Sequence, residues 1–195
     1  MLLLAGIQTL NLSAAENWPG WRGPRGDGST ADDPRIPVTW SVSDDTKWKT
    51  PLPGKGHASP IIWEDRIFVV SALSDSHARV LICIDRKRGD VLWQKTVLES
   101  PPEKMHLLNS LASGTPVTDG ERVYVSFLDG DNMFVAAYDF SGNKLWEQRP
   151  GIFSSVHGYC SSPILWNEKL IINGDHDGEA YIVALDRTNG ETLWK

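Results

Sequence analysis

The chain has 195 residues, 41% of them hydrophobic and 23% charged, with a formal net charge of −6. That length allows a sizeable core. The acidic balance, without a basic stripe, argues against a nucleic-acid partner, and two cysteines with no CxxC spacing supply neither a zinc nor a dithiol motif.

Residues 1–15 read as a signal peptide. Their apolar run is too short to span a bilayer and ends on small residues, Ser13-Ala14-Ala15, where a signal peptidase cuts. A secreted or periplasmic location without a transmembrane span is therefore expected. Residues 16–45 form an irregular lead-in, dense in turn formers at Trp18-Pro19-Gly20-Trp21-Arg22-Gly23-Pro24 and Gly26-Asp27-Gly28. Its two indoles predict that it is pinned to a surface. Asp27, Asp32 and Asp33 lack EF-hand spacing and read as solvated loop acids. Residues 46–50, Thr46-Lys47-Trp48-Lys49-Thr50, read as a closing strand, the fourth strand of a blade without its first three.

From residue 57 onward the chain repeats itself. One phrase runs from Asp through a Gly-bearing turn to Leu-Trp: Asp85, Gly89 and Trp93; Asp139, Gly142 and Trp146; Asp186, Gly190 and Trp194. A second places Ser59-Pro60, Thr115-Pro116 and Ser162-Pro163 before a strand, a polar turn and another strand. Asp at a turn start can accept hydrogen bonds from the backbone ahead of it, Gly takes the positive φ a tight turn needs, and Pro is tolerated at a strand's first residue. Four strand signals in a period of roughly 50 residues indicate a propeller blade. The expectation is an all-β chain, an incomplete β-propeller of four-stranded antiparallel blades at about 57–98, 112–149 and 160–195. The indoles pack between blades. Three blades do not close a ring of seven or eight, so the missing blades are expected from the same longer chain; a ring completed by another chain is the alternative. The insert at 99–111 predicts a helical turn over 102–108. Cys83 and Cys160 fall in non-adjacent blades, too far apart for a disulfide, and read as free, largely buried thiols.

The Asp-Gly-Trp phrases resemble the tryptophan-docking motif of the PQQ-like β-propeller repeat family, of BamB type, and residues 18–28 resemble the lead-in of its secreted bacterial members. The resemblance implies the fold strongly and the function weakly, since one fold hosts many activities. One branch implies a quinoprotein dehydrogenase holding PQQ and calcium in the central funnel. The repeat aspartates match the docking motif rather than a catalytic base, and the neighbouring-cysteine pair common in that branch is absent here. The other branch implies a scaffold without chemistry. No cofactor and no metal site is expected, with PQQ and calcium as the alternative.

The strongest polar constellation lies in the loops entering each blade: Lys55 and His57, Asn109, His157 and Tyr159. First strands of propeller blades are innermost, so these loops converge on the channel mouth and could bind a small molecule or a protein segment; the alternative is local hydrogen bonding within each loop. No catalytic residue can be assembled from spacing. Ser59, Thr115 and Ser162 read as strand-entry residues, and His176, between Asp175 and Asp177, as a polar hairpin tip matching His77 in the first unit.

Overall fold

The computed structural model describes residues 16–34 and 36–195; the expected signal peptide lies outside the described residues. Three antiparallel sheets of four strands account for the repeats. Blade one comprises β1 (Ile61–Trp63), β2 (Arg66–Ala72), β3 (Ala78–Asp85) and β4 (Val91–Glu99). Blade two comprises β5 (Val117–Thr118), β6 (Arg122–Asp129), β7 (Asn132–Asp139) and β8 (Lys144–Gln148). Blade three comprises β9 (Ile164–Trp166), β10 (Lys169–Gly174), β11 (Tyr181–Asp186) and β12 (Thr192–Trp194). Strands pair in chain order within each blade.

Alternation along the middle strands builds the interfaces, because successive side chains point to opposite faces. Phe68 and Val70 of β2, with Leu81 and Cys83 of β3, face Val123, Val125 and Phe127 of blade two. The intervening Val69, Val80, Ile82 and Ile84 form a separate cluster with Trp48 on blade one's other face. Tyr124, Met133 and Val135 turn the opposite side of blade two toward Leu170, Ile172, Val183 and Leu185 of blade three. A strand packed on both sides is expected to be apolar along its middle; β3 is buried at every residue and apolar from Val80 to Ile84, whereas the outer strand β12 is exposed at every residue.

The docking turns lock these layers together. Asp85 Oδ1 accepts the backbone N–H groups of Lys87 (3.0 Å) and Arg88 (2.8 Å). Asp139 accepts those of Ser141 (2.9 Å) and Asn143 (2.8 Å), and Asp186 that of Thr188 (2.7 Å). Each turn then receives an indole from the preceding segment rather than from its own blade. Trp93 Nε1 donates to Phe140 O (2.9 Å) and Trp146 Nε1 to Arg187 O (3.1 Å). The indole faces lie on the turn glycines: a Cβ at Gly190, where φ is +79°, would stand 2.6 Å from the Trp146 ring. Residues 46–50 adopt no regular secondary structure and pair with no strand among the described residues, yet Trp48 Nε1 donates to Arg86 O (3.0 Å) and its ring covers Gly89 in the same way.

The structure corrects two expectations. Residues 102–108 hold no helix, only a turn at Leu107–Leu108; Arg79 and Glu103 form a buried ion pair at 2.5 Å that draws the insert, with its two prolines, back onto blade one. The helix among the described residues is instead α1 (Val42–Asp45), where the Ser41 hydroxyl accepts the Asp44 N–H. Cys83 is buried, but Cys160 is exposed.

Candidate functional site

The first strands meet along the inner edge, and the residues before the prolines stitch them. Ser59 N–H donates to Thr115 Oγ1 and Thr115 N–H to Ser162 Oγ, both at 3.0 Å. His57 N–H donates to Ala112 O (3.0 Å). These hydroxyls are spent on inter-blade bonds, which gives the Ser/Thr-Pro phrase its physical purpose. The lead-in crosses the same edge: Trp18 exchanges both backbone hydrogen bonds with Ile62 (2.8 and 2.9 Å), and Thr118 N–H donates to Pro19 O (2.8 Å).

Above that edge lies a cavity of about 410 Å³ lined by His57, His106, Leu108, Asn109, Ser113, His157 and Cys160. Three of the five loop residues singled out from the sequence, His57, Asn109 and His157, line it together. Lys55 does not: its backbone pairs with Ala72 (2.9 and 2.8 Å), and it lines a different cavity, on the Trp48 side of blade one. Tyr159 is buried in the interface between blades two and three, edge-on to Phe153 at 5.3 Å, with its hydroxyl donating to Ser126 Oγ (2.8 Å). Burial pushes its phenol pKa up despite that bond.

Asn109 holds the site's shape. Its Nδ2 donates to His157 O (2.7 Å), and its Oδ1 accepts from Ser110 N–H (2.8 Å) and the Ser113 hydroxyl (2.6 Å). His106 N–H reaches the same His157 carbonyl (3.3 Å), and the His106 and His157 rings lie 5.8 Å apart. His106 Nδ1 accepts the Leu108 N–H (3.2 Å), so the side-chain capacity left lies in the other imidazole nitrogens and the Cys160 thiol. His106, Ser113 and Cys160 were not singled out by sequence. Ser113 and Cys160 could have been: in the aligned repeats they occupy the position of His57, two residues before the Ser/Thr-Pro. His106 sits on the insert, which has no counterpart in the other units and so carries no repeat signal.

The lining contains no carboxylate, so no acid orients an imidazole, and the Ser113 hydroxyl is tied to Asn109. The arrangement lacks the linked nucleophile, base and orienter of acyl-transfer chemistry. Calcium takes six to eight oxygen ligands, which imidazole and thiol groups do not provide, and no cluster of three or more His, Cys, Asp or Glu among the described residues can hold a metal. The residues lining this cavity therefore do not make up a calcium ligand set.

The aspartates of the docking turns lie away from the cavity and act on backbone. A more connected carboxylate, Asp119, clamps blades two and three. Its Oδ2 accepts the Tyr124 hydroxyl (2.7 Å) and faces Arg187 Nη1 (3.3 Å) and Arg122 Nη1 (3.4 Å), while Oδ1 accepts the N–H groups of Glu121 (2.9 Å) and Arg122 (2.7 Å). Burial pushes its pKa up, but the donors around it outweigh burial and hold it below the ordinary carboxylate value.

Comparison with known proteins agrees with the blade geometry. The family model described as "Outer membrane protein assembly factor BamB" matches residues 38–109 and 76–195. A polyvinylalcohol dehydrogenase of Sphingopyxis sp. (strain 113P3) is 23% identical over 204 residues, covering 95% of this chain and 29% of that protein. A europium-containing methanol dehydrogenase superposes with a TM-score of 0.56 at 17% identity, over 77% of this chain and 26% of its own. A quinohemoprotein alcohol dehydrogenase from Comamonas testosteroni gives 0.53 at 19% identity, over 73% and 21%. The chain thus spans under a third of each of these relatives, and the structural likenesses speak for the fold alone.

Proposed function

We infer that this chain, which belongs to the family described as outer membrane protein assembly factor BamB, forms part of a secreted or periplasmic β-propeller that works by binding rather than by covalent chemistry. The observation that carries this reading is the convergence of His57, Asn109 and His157 from separate loops on one cavity, with donors on its walls and no linked catalytic constellation. In the intact protein, residues 46–50 supply the fourth strand of a blade whose other strands lie beyond these three, and the ring is completed by the same longer chain. The fold places loops of several blades around a common axis, which suits recognition of a ligand by many small contributions.

The lining favours a ligand that presents hydrogen-bond acceptors. Citrate serves as a probe: the ring resonances of His57, His106 and His157 in the intact protein are expected to shift saturably on titration, and His157→Ala to weaken binding at least threefold. Unshifted histidines would overturn the site.

An oxidoreductase is the second reading, favoured by the likeness to a polyvinylalcohol dehydrogenase. Alcohol-dependent dye reduction by the intact protein supplied with PQQ and calcium would replace binding with turnover.

A further inference from the structure

We propose that His176 is a pH-sensitive latch that positions the loop carrying His157. The hairpin tip between β10 and β11 lies against the segment joining β8 to β9. His176 Nδ1 accepts two backbone N–H groups, from Gly178 (2.9 Å) within its own tip and from Ser154 (3.3 Å) across the gap. Its Nε2 lies 3.1 Å from Glu179 O. A carbonyl can only accept, so these partners assign the neutral tautomer with its proton on Nε2. The ring also packs on Phe153 (5.4 Å) and edge-on to Tyr181 (6.2 Å). Gly178 lets the ring approach: a Cβ there would lie 2.6 Å from the imidazole. The matching His77 of blade one uses only its backbone, as acceptor for Arg79 and Ser100, so the sequence correspondence of the two histidines conceals a difference in role.

Protonation would place a third N–H at Nδ1, facing the two N–H groups it now satisfies. Histidine is the side chain that changes charge between about pH 5 and 8. The latch is therefore closed while the ring is neutral and opens when it takes up a proton. Asp175, Asp177 and Glu179 are the charged groups of its own hairpin; across the gap Ser154 and Val156 are uncharged, and Tyr181 packs edge-on to the imidazole with the Lys195 amine 4.2 Å above the Tyr181 ring. Asp177 adds a second pin, its Oδ2 accepting Val156 N–H (3.1 Å) and its own N–H donating to Ser154 O (3.1 Å), so acid loosens the loop without unfolding the blade. Residue 157 follows directly and carries the carbonyl that Asn109 grips, so the loosening is delivered to the cavity wall. Its consequence for ligand binding rests on the reading above; the latch itself does not.

The test is amide hydrogen exchange in the intact protein, corrected for intrinsic pH dependence. Ser154 and Gly178 are expected to lose about tenfold protection between pH 7.5 and 5.5, the worth of an ordinary hydrogen bond. His176→Asn, which retains an acceptor oxygen but cannot titrate, is expected to abolish this dependence. Protection that stays flat in the wild-type protein, or a pH dependence that survives in His176→Asn, overturns the latch. Citrate titration of the same samples separates the two ideas: a working latch with no citrate binding sinks only the site, and citrate binding with flat protection sinks only the latch.

Discussion

The two outer faces of the three-blade arc come from the same repeat and end differently. Blade one's outer face is covered: Trp48 fills the docking turn at Asp85–Gly89 and closes a cluster with Val69, Val80, Ile82 and Ile84. Blade three's outer face has no neighbour among the described residues, and Ile164, Trp166, Ile182 and Trp194 stand exposed on it. Trp146 and Trp194 occupy the same position in consecutive repeats, yet the first is 8% exposed and the second 44%. A repeat motif thus specifies the strand and the indole, while the energy of the indole comes from the blade beside it, as in other repeat architectures.

The sharpest way to break this comparison is to delete both indoles in the 195-residue chain. Trp146→Ala empties a buried interface and loses a hydrogen bond, and is expected to cost about 3–5 kcal/mol. Trp194→Ala is expected to cost under about 1 kcal/mol there, rising toward the Trp146 value in the intact protein once a fourth blade covers it. Urea unfolding of both variants in both lengths is the measurement; equal costs in the short chain would refute the neighbour argument.

A smaller effect separates the two covered interfaces. Blades two and three are clamped by Asp119, whereas the Asp65 carboxylate, at the corresponding turn of blade one, pairs with Lys87 of its own blade, exposed to solvent. Asp119 has its folded-state pKa depressed, so its contribution is present above the ordinary carboxylate value and is lost as pH falls through the folded one. Unfolding at pH 5 and pH 3 is expected to show a steeper acid loss in the wild-type protein than in Asp119→Asn; identical slopes would remove Asp119 from the interface energetics.

The smallest effect needs no substitution. The Cys83 thiol is buried between blades one and two, its pKa pushed up to about 11 by that burial, while Cys160 is exposed at the cavity. A thiol reagent is expected to modify one cysteine per chain quickly and the other only on unfolding. Rapid modification of both would mean that the interface between blades one and two opens.

The blade pattern was legible in the sequence because it rests on local rules. Asp85, Asp139 and Asp186 cap turns through bonds to residues two to four positions on, glycines accept positive φ, and alternating apolar residues define two buried faces. The site was legible in part. His57, Asn109 and His157 could be found because their loops recur at each blade entrance. Tyr159 was misleading as a channel residue, since one position past Gly158 the chain has already turned into the interface. Cys160, one position further on, is exposed and lines the cavity, a reversal that composition does not reveal. His106 and the Arg79–Glu103 pair belong to the insert, where no repeat guides the reading and a buried ion pair overrides local preference.

The sequence by itself therefore determined the strands, the turns and their order, because those depend on side-chain alternation and on hydrogen bonds between near neighbours. Tertiary structure decided which indole docks in which turn, which loop residues share a cavity, and that His176 rather than His77 reaches across to another loop. Those outcomes depend on contacts between segments 20 to 60 residues apart, where a difference of an ångström in how two blades meet decides whether a polar group finds its partner.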